Sequence, residues 1–383
     1  MAQRIPAGRL RFLLVVITII GILHAYIGWR LLPALPIGLT GWIIGIACLT
    51  LSTLLLPMGL LARFVLAREI DADKVSWVGY LAMGFFSSLL ILTFARDVAT
   101  LFVASEAFVR PSAIAVPLLA FLLTTVGFVN ARRVPRVVEV EIPLHGLPSS
   151  LIGFTIVQIS DLHVGPTIKG GHVQAIVDRV NVLNADLIAI TGDLVDGSIA
   201  HLAEHIAHLG DMTSRHGSFV VTGNHEYYSG AHEWMAEYQR IGLRGLMNEH
   251  VVLEHDGARL IIAGVADYSA HQFDESHRSD PQRALAGSPD GTHKILLAHQ
   301  PRSAGAASAA GFDLQLSGHT HGGQFWPWPL FVRLQQPYTA GLHRLDKLWV
   351  YTSRGTGYWG PPKRFGAPAE ITLIRLVAAD AER

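Results

Sequence analysis

Four long apolar runs fill the first third of this 383-residue chain and restrict what it can fold into. Each run is long enough, as a helix, to cross a hydrocarbon layer about 30 Å thick. The alternative, buried helices of a soluble protein, is disfavoured because four such runs follow one another. The sequence therefore predicts a four-helix transmembrane domain, with spans at Phe12–Trp29, Gly41–Leu61, Trp77–Phe94 and Ala113–Val129.

Basic residues are divided unequally between the two ends of these spans. The end that includes the amino terminus carries Arg4, Arg9, Arg11, Arg63, Arg68, Lys74, Arg132, Arg133 and Arg136, and the other end carries Arg30, Arg96 and Arg110. Because Lys and Arg accumulate on the cytoplasmic side of membrane proteins, both termini are predicted to be cytoplasmic. We expect a multi-pass protein of the cell inner (plasma) membrane, with its polar domain in the cytoplasm.

The remaining two thirds of the chain have the pattern of an α/β domain. Apolar residues alternate with glutamate over Val137–Ile142, which predicts a half-buried strand. Further strands are predicted at Phe154–Ser160, Leu187–Thr191, Ser218–Thr222, Arg259–Val265, Lys294–Ala298, Asp313–Ser317, Leu348–Ser353 and Glu370–Leu376. Helices are predicted between them at Gly171–Leu183, Ala200–Met212, His232–Ile241 and Arg302–Ala310. The expected organisation is a cytoplasmic tail at residues 1–11, the transmembrane domain at 12–130, a linker with the first strand at 131–150 and the α/β domain at 151–378.

Five clusters of candidate metal ligands occur in this domain, each at the end of a predicted strand. They are Asp161-Leu162-His163, Gly192-Asp193, Gly223-Asn224-His225-Glu226, His299, and Gly318-His319-Thr320-His321. Open α/β sheets place their active sites at the carboxyl ends of strands, so these side chains are expected to meet. A coincidence of turn residues is the alternative, and the co-occurrence of all five clusters in one chain disfavours it.

The residue types suit a centre with two metal ions. Two cations about 3.5–4 Å apart need a shared anionic ligand, and Asp193 is the natural bridging carboxylate. Asp161 and His163 are one residue apart, so on an extended chain both would point to the same face, as would His319 and His321. Mixed oxygen and imidazole ligands without cysteine suit Mn, Fe or Zn.

The series of clusters resembles the calcineurin-like metallophosphoesterase superfamily, whose pattern is D-x-H, G-D, G-N-H-[DE], H and G-H-x-H. Gly322-Gly323-Gln324, Ser353-Arg354-Gly355 and Gly360-Pro361-Pro362 resemble a bacterial, membrane-associated phosphodiesterase branch. The resemblance covers about Leu151–Leu376. It implies an α/β/β/α sandwich of two mixed sheets.

The resemblance also implies roles for individual residues. Asp161, His163, Asp193 and His321 would hold one metal ion, and Asp193, Asn224, His299 and His319 would hold the other. His225 would stay off the metals as the catalytic residue that faces the leaving group. The implied reaction is direct attack by a metal-bridging hydroxide on phosphorus, which requires no nucleophilic side chain. The single cysteine, Cys48, lies in an apolar run far from these motifs.

Several interpretations stay open from the sequence alone. The substrate is expected to be a lipid-linked phosphodiester or pyrophosphate; soluble nucleotides or phosphoproteins, with the helices as an anchor only, are the alternative. A membrane sensor or transport module with a metal-binding regulatory domain is a third possibility. The balanced formal charge gives no indication of nucleic-acid binding.

Single residues also leave alternatives. The aromatic segment Gln324–Phe331 is either an interfacial patch or a core strand with a turn, and the core is slightly favoured. Asp196 is expected to be a loop or helix-cap residue. Glu226 either orients His225 or is an exposed carboxylate. Arg302, Arg354, Lys363 and Arg364 are candidates to contact a second phosphate or a sugar acid, or are surface charges.

Overall fold

The computed structural model describes residues 7–66, 68–103 and 105–379. Residues 1–6, which include Arg4 and much of the predicted tail, lie outside the described residues. The chain divides into two compact units: a helical unit of Met1–Val129 with Gly360–Lys363, and an α/β unit of Asn130–Trp359 with Arg364–Arg383. The domain limits expected from the sequence stay predictions.

Long apolar helices make up the helical unit. Within the described residues they are α1 (Ala7–Leu31), α2 (Gly38–Val65), α3 (Glu69–Thr100) and α4 (Glu106–Arg132). All four are long and apolar enough to cross a membrane, and each predicted span lies inside one of them. The predicted transmembrane helices are therefore confirmed as apolar helices of spanning length.

Several polar side chains inside the helical unit are hydrogen-bonded. His24 donates from Nδ1 to the Ile20 carbonyl at 2.8 Å, and its Nε2 accepts from the Ser52 hydroxyl at 2.9 Å. Asp97 accepts from Tyr26 at 2.6 Å and from Arg30 at 2.8 Å. Buried polar groups cost little free energy when they are hydrogen-bonded, so these contacts are compatible with a packed helix bundle.

The α/β unit contains two six-stranded sheets in the part of the chain that the structure describes. Its strands are β1 (Arg136–Leu144), β2 (Thr155–Ile159), β3 (Leu187–Ile190), β4 (Ser218–Val220), β5 (Arg244–Gly245), β6 (Glu249–His255), β7 (Ala258–Gly264), β8 (His293–Leu297), β9 (Leu314–Ser317), β10 (Gly341–Leu345), β11 (Leu348–Thr352) and β12 (Glu370–Ala378). Its helices are α5 (Gly170–Asn181), α6 (Ile199–Ile206), α7 (Asn224–Ser229), α8 (Ala231–Arg240), α9 (Pro281–Ala284), α10 (Ala304–Ala310) and α11 (Trp328–Val332).

Both sheets are mixed. The first has the order β1-β12-β2-β3-β4-β5, in which β2 to β5 are parallel and β12 is antiparallel to β2. The second has the order β10-β11-β9-β8-β7-β6, with antiparallel pairs at its two edges and parallel pairs between them. The parallel strands of each sheet therefore end on one side, where the loops that follow them gather.

Three apolar clusters define the layers of this unit. One lies between the sheets and includes Ile156 of the first sheet and Ile262 of the second. Another joins the first sheet to α5, α6 and α8, and a third joins the second sheet to α9 and α10. Helices therefore cover the outer face of each sheet, and the predicted α/β/β/α sandwich of two mixed sheets is confirmed.

Most predicted strands and helices overlap observed elements, and the differences are local. The predicted helix Ala200–Met212 ends at Ile206 and continues as a 3₁₀ turn over Ala207–Asp211. The sequence did not predict the strands β5, β6 and β10 or the short helices α7, α9 and α11. β10 and β6 are edge strands, where a mixture of polar and apolar residues weakens the alternation.

Candidate metal centre

The loops after five parallel strands bring the predicted ligands together. These loops carry Asp161 and His163 after β2, Asp193 after β3, Asn224 after β4, His299 after β8, and His319 and His321 after β9. The strands come from both sheets, so the ligands lie where the carboxyl ends of the two sheets meet.

Most of these ligands have unusual backbone conformations. Asp161, His163, Asp193, His319 and His321 have φ values between 52° and 70°, in the left-handed region that non-glycine residues seldom adopt. The expectation that an extended chain puts Asp161 and His163, and likewise His319 and His321, on one face is therefore wrong. Asp161 and His163 come together through left-handed turns instead, whereas His319 and His321 belong to different groups. Each such residue costs on the order of 1–3 kcal/mol and persists only where its surroundings hold it in place.

Close packing of the loops also requires glycine at two ligand-flanking positions. A Cβ atom added to Gly223 would collide with the Asp193 carboxylate, and one added to Gly318 would collide with the carboxylate of Asp161. The glycines of the Gly-Asn-His and Gly-His-x-His motifs thus leave room for the acidic ligands of neighbouring loops.

Asp161, His163 and His321 form the first group of candidate ligands. The Nε2 atoms of His163 and His321 are 3.0 Å apart, and Nε2 of His321 is 3.5 Å from Oδ1 of Asp161. Two imidazole nitrogens at this distance need a shared proton or a cation between them. Burial, together with the charge of His163, holds the pKa of His321 well below its ordinary value, which favours a neutral ring with a free lone pair.

Asp193, His299 and His319 form the second group. Nε2 of His299 is 3.1 Å from Oδ2 of Asp193 and 3.1 Å from Nδ1 of His319. Oδ2 of Asp193 is also 3.8 Å from Nε2 of His163 in the first group. Asp193 therefore lies between the two groups, in the position that a bridging carboxylate occupies.

Burial and neighbouring charges shift the pKa values of this second group in opposite directions. Burial opposes ionisation of Asp193, but the neighbouring histidines, His299 foremost, hold its pKa well below the ordinary value. Burial lowers the pKa of His319 to about 3, so its imidazole is neutral at physiological pH. Burial opposes protonation of His299, but the carboxylates of Asp193 and Asp161 raise its pKa well above the ordinary value. Asp193 and His319 are therefore already in the form that binds a metal ion, whereas His299 would release a proton on binding one.

Two further observations test whether the donors fit metal ions. The Asn224 side-chain oxygen Oδ1 is buried and accepts no hydrogen bond from the described residues, an orphan that a cation would satisfy. His299 donates from Nδ1 to the Thr191 carbonyl at 2.7 Å, and His163 donates from Nδ1 to Asp196 at 3.0 Å. These bonds hold Nδ1 of each ring and direct Nε2 toward the other candidate ligands, which is the orientation that metal binding requires. The residues present fit divalent metal ions.

His225 lies beside both groups without being fixed as a ligand. Its Nδ1 donates to Oδ1 of Asp196 at 2.6 Å, and its backbone N–H donates to Oδ1 of Asp193 at 2.8 Å. Burial opposes protonation of the ring, but the carboxylates of Asp193 and Asp196 raise the pKa of His225 to about 9. Cations bound at Asp193 would reduce this shift. His163, Asp193 and His225 also come within 4.8 Å of one another, so geometry alone permits a ligand role as well.

Asp196 is the residue of this site that the sequence interpretation undervalued. It lies in the loop after β3, as expected, but its carboxylate accepts from two imidazoles instead of capping a helix. Burial opposes ionisation of Asp196, but the charges of His163 and His225 hold its pKa well below the ordinary value. Its position three residues after Asp193, in Gly-Asp-Leu-Val-Asp, was the available signal.

Glu226 has a different role from either one considered above. Its buried carboxylate accepts from the backbone N–H groups of Asp193 at 2.9 Å, Leu194 at 2.7 Å and Gly223 at 2.6 Å, and from the Tyr238 hydroxyl at 3.0 Å. It is therefore neither an exposed carboxylate nor the partner of the His225 ring. It ties the loop after β3 to the loop after β4.

The four basic candidates for a second phosphate all have protein partners. Arg354 pairs with Glu370 at 2.8 Å, and Arg302 donates to the Gln335 carbonyl at 2.7 Å. Arg364 is fully buried and donates to the carbonyl oxygens of His321 and Arg354. Lys363 belongs to the helical unit, where it donates to the Gly84 carbonyl at 2.8 Å. Arg364 and Lys363 in particular are structural, and neither is a surface charge.

Exposed aromatic side chains lie around the centre. Trp359 and Tyr228 contact the His225 ring, at centroid distances of 5.7 and 5.1 Å. The Gln324 side chain donates to the Trp359 carbonyl at 3.0 Å and accepts from its N–H at 2.9 Å. Two residues later, Trp326 is 57% exposed, and Trp328, at the start of α11, is 44% exposed. The interpretation of this segment as a core strand with a turn is therefore wrong for Trp326 and Trp328, whereas Gln324, Phe325 and Pro327 are buried.

Comparisons with known proteins agree on one family. Residues 154–323 match the family model described as calcineurin-like phosphoesterase. The chain is 40% identical over 273 residues to a "Transmembrane protein with metallophosphoesterase domain" of Danio rerio, covering 68% of this chain and 62% of that protein. It is 38% identical over 253 residues to an uncharacterized metallophosphoesterase of Helicobacter pylori, with 66% of each chain covered.

A shorter relative is covered more completely. The chain is 31% identical over 223 residues to an uncharacterized metallophosphoesterase of Aquifex aeolicus, which covers 58% of this chain and 84% of that protein. By contrast, the chain spans less than two thirds of the Danio rerio protein. The range matched by the family model, residues 154–323, contains all seven predicted ligands.

Proposed function

Because the chain belongs to the calcineurin-like metallophosphoesterase family, we propose that it is a membrane-anchored hydrolase that cleaves a phosphodiester or pyrophosphate bond with two divalent metal ions. The observation that best supports this proposal is the position of Asp193 between two groups of imidazole and carboxylate side chains. One ion would be held by Asp161, His163, Asp193 and His321, and the other by Asp193, Asn224, His299 and His319. When bound, Mn, Fe or Zn ions lower the pKa of water and polarise phosphoryl oxygens.

The chain's own residues supply orientation and a proton. Asp193 contributes the negative charge that lets two cations lie close together. Asp196 accepts a hydrogen bond from Nδ1–H of His225, which leaves Nε2–H of that ring to donate a proton to the leaving oxygen. A positioned acid of this kind contributes about 10²–10⁴-fold to the rate. Glu226 holds the loops of Asp193 and Asn224 in register, so the donors do not have to reorganise during the reaction.

The substrate is proposed to be lipid-linked. Exposed apolar patches beside a catalytic site mark surfaces that meet a membrane or an apolar ligand. Here Trp326, Trp328 and Phe331, all at least 44% exposed, follow the His321 loop directly. Tryptophan is the side chain most often found at the headgroup level of bilayers. Four helices of spanning length belong to the same chain, which raises the effective concentration of membrane-borne substrates.

The distribution of basic residues supports a cytoplasmic location for the hydrolase unit. Among the described residues, Arg63 lies in the last turn of α2, Lys74 lies near the start of α3 and Arg132 ends α4, all on the side expected to be cytoplasmic. The substrate would then be a phosphate ester of the inner leaflet of the inner (plasma) membrane.

Hydrolysis assays with the full-length protein test this proposal. Metal-stripped protein in detergent is supplied with Mn²⁺ or Zn²⁺ and given bis(p-nitrophenyl) phosphate, a soluble nucleotide diester and a phospholipid diester in mixed micelles. Metal-dependent hydrolysis that is lost in Asp193→Asn and is fastest on the lipid supports the whole proposal. Preference for the soluble nucleotide overturns the lipid assignment, and silence on all three with metals bound favours a sensor or transport role.

A further inference from the structure

A second histidine and carboxylate cluster lies outside the candidate metal centre. His232 is in α8, Asp274 lies in the loop after β7, and His277 ends the 3₁₀ turn Glu275–His277. Nε2 of His232 is 3.0 Å from Oδ2 of Asp274, and Nε2 of His277 is 4.0 Å from the same oxygen. One ligand atom from each residue lies within 4.8 Å of the others, the spacing of a metal site. The two imidazole rings have centroids 4.5 Å apart.

Hydrogen bonds to neighbouring residues orient Asp274 and His277 so that Oδ2 and Nε2 face one another. Oδ1 of Asp274 accepts from the backbone N–H of Ser276 at 2.9 Å and from its hydroxyl at 2.6 Å, which leaves Oδ2 facing the two histidines. Nδ1 of His277 lies 2.8 Å from the Tyr227 hydroxyl. When that nitrogen donates to the hydroxyl, the lone pair of His277 is on Nε2, toward Asp274. Metal-bound histidines nearly always donate their other ring N–H to such a partner.

The charge of the Asp274 carboxylate and the exposure of His232 also suit a metal ion. Hydrogen bonds from Ser276 lower the pKa of Asp274 to about 2, so its carboxylate is ionised at physiological pH. Partial burial lowers the pKa of His277, which favours the neutral ring. The His232 side chain is largely exposed, so an ion can enter from solvent.

We propose that His232, Asp274 and His277 bind a third divalent metal ion, separate from the candidate metal centre. Two imidazoles and one carboxylate form the donor set of a Zn²⁺ site whose fourth position holds water. The 4.0 Å separation of His277 from Asp274 must shorten slightly, because donors on a zinc ion about 2.0–2.2 Å away lie closer together.

The proposed site is connected to the His225 ring through aromatic side chains. Tyr227, the partner of His277, belongs to α7, the helix that begins with Asn224 and His225. Phe273, next to Asp274, contacts Tyr227 and Tyr228 at centroid distances of 5.8 and 5.6 Å, and Tyr228 contacts the His225 ring. A bound ion would link the loop after β7 directly to α8, and through Tyr227 to α7. It would thereby hold the aromatic side chains of Phe273 and Tyr228 in place beside His225.

Zinc stoichiometry in the full-length protein tests this inference without depending on hydrolysis. Metal-stripped protein in detergent is titrated with Zn²⁺, and bound zinc is measured by mass spectrometry after desalting. His232→Ala/His277→Ala is expected to bind one zinc fewer per chain than the wild type. The matched control is His271→Ala, which removes a histidine of the same loop outside the cluster and leaves the stoichiometry unchanged. Equal zinc content in the double variant and the wild type overturns the proposal.

A milder substitution tests the site in case the double variant does not fold. Tyr227→Phe keeps all three ligands but removes the partner of His277, and it should weaken the third zinc by about 10–100-fold while the other zinc ions bind as before. If the double variant loses all its zinc because it unfolds, Tyr227→Phe and Asp274→Asn decide the question. Unchanged affinity in both contradicts a metal site and leaves only the hydrogen bond between His232 and Asp274.

Discussion

The side chains of His225 and Asp196 are joined by a hydrogen bond of 2.6 Å from Nδ1 to Oδ1. The same oxygen accepts a second hydrogen bond, at 3.0 Å, from Nδ1 of His163. One carboxylate therefore positions two imidazoles, a candidate proton donor and a candidate metal ligand. Single substitutions of Asp196 and His225 can therefore distinguish the effect of the carboxylate charge from metal binding and from proton transfer.

The Asp196→Asn variant is expected to slow hydrolysis without emptying the metal centre. The amide keeps the size of the side chain but loses the negative charge that strengthens the hydrogen bonds from Nδ1–H of His163 and of His225. Loss of a partner that orients a metal ligand typically costs about 10–100-fold, so kcat should fall by roughly that factor. Metal content measured by mass spectrometry should stay near that of wild type. The exposed Asp211→Asn is the matched control, and loss of metal equal to that in Asp193→Asn would make Asp196 a direct ligand.

The His225→Ala variant distinguishes an acid from a ligand. If His225 donates a proton to the leaving oxygen, kcat should fall by about 10²–10⁴-fold for an alkyl leaving group. The loss should be smaller for p-nitrophenol, which leaves readily as an anion, and the metal content should be unchanged. Removal of the exposed His201 in α6 provides the control. A missing metal ion in His225→Ala would contradict the assignment and place this ring on the metals.

Glu226→Gln should lower the stability of the protein and should affect catalysis only indirectly. The glutamine amide presents a donor where three backbone N–H groups now donate to a buried carboxylate. A buried donor left without an acceptor costs about 1–3 kcal/mol, so the Tm of the detergent-solubilised protein should fall and metal binding should weaken. Glu204→Gln, an exposed position in α6, should change neither. Normal stability together with lost turnover would instead give Glu226 a direct part in the chemistry.

The sequence predicted which side chains would converge, because each candidate ligand belongs to a short local motif beside an apolar strand. It could not predict the contact of Asp196 with His225, since the two residues are distant in sequence and meet only when the loops after β3 and β4 converge. It also misjudged the geometry at Asp161 and His163, because left-handed turns of non-glycine residues depend on tertiary packing.

The helical unit was the easiest part to predict, since long apolar runs have few alternatives. The short helices α7 and α11 were missed for the opposite reason. Each is too short for an apolar period to show, and α11 is apolar without being buried. The exposure of Trp328 in α11 depends on where the chain turns, which composition alone does not determine.

The exposed tryptophans yield the test that bears most directly on the substrate. If Trp326 and Trp328 insert among lipid headgroups, Trp326→Ser/Trp328→Ser should raise the apparent KM for a phospholipid diester by on the order of tenfold or more, because apolar area near the bilayer is lost. Hydrolysis of bis(p-nitrophenyl) phosphate should change little, since neither side chain is a predicted ligand. The matched control, Ile152→Ser/Val182→Ser, removes two equally exposed apolar side chains elsewhere in the α/β unit and should leave both activities intact. Equal losses on lipid and aryl diesters would show that the aromatic segment supports the centre structurally, and the soluble substrates would then become the stronger alternative.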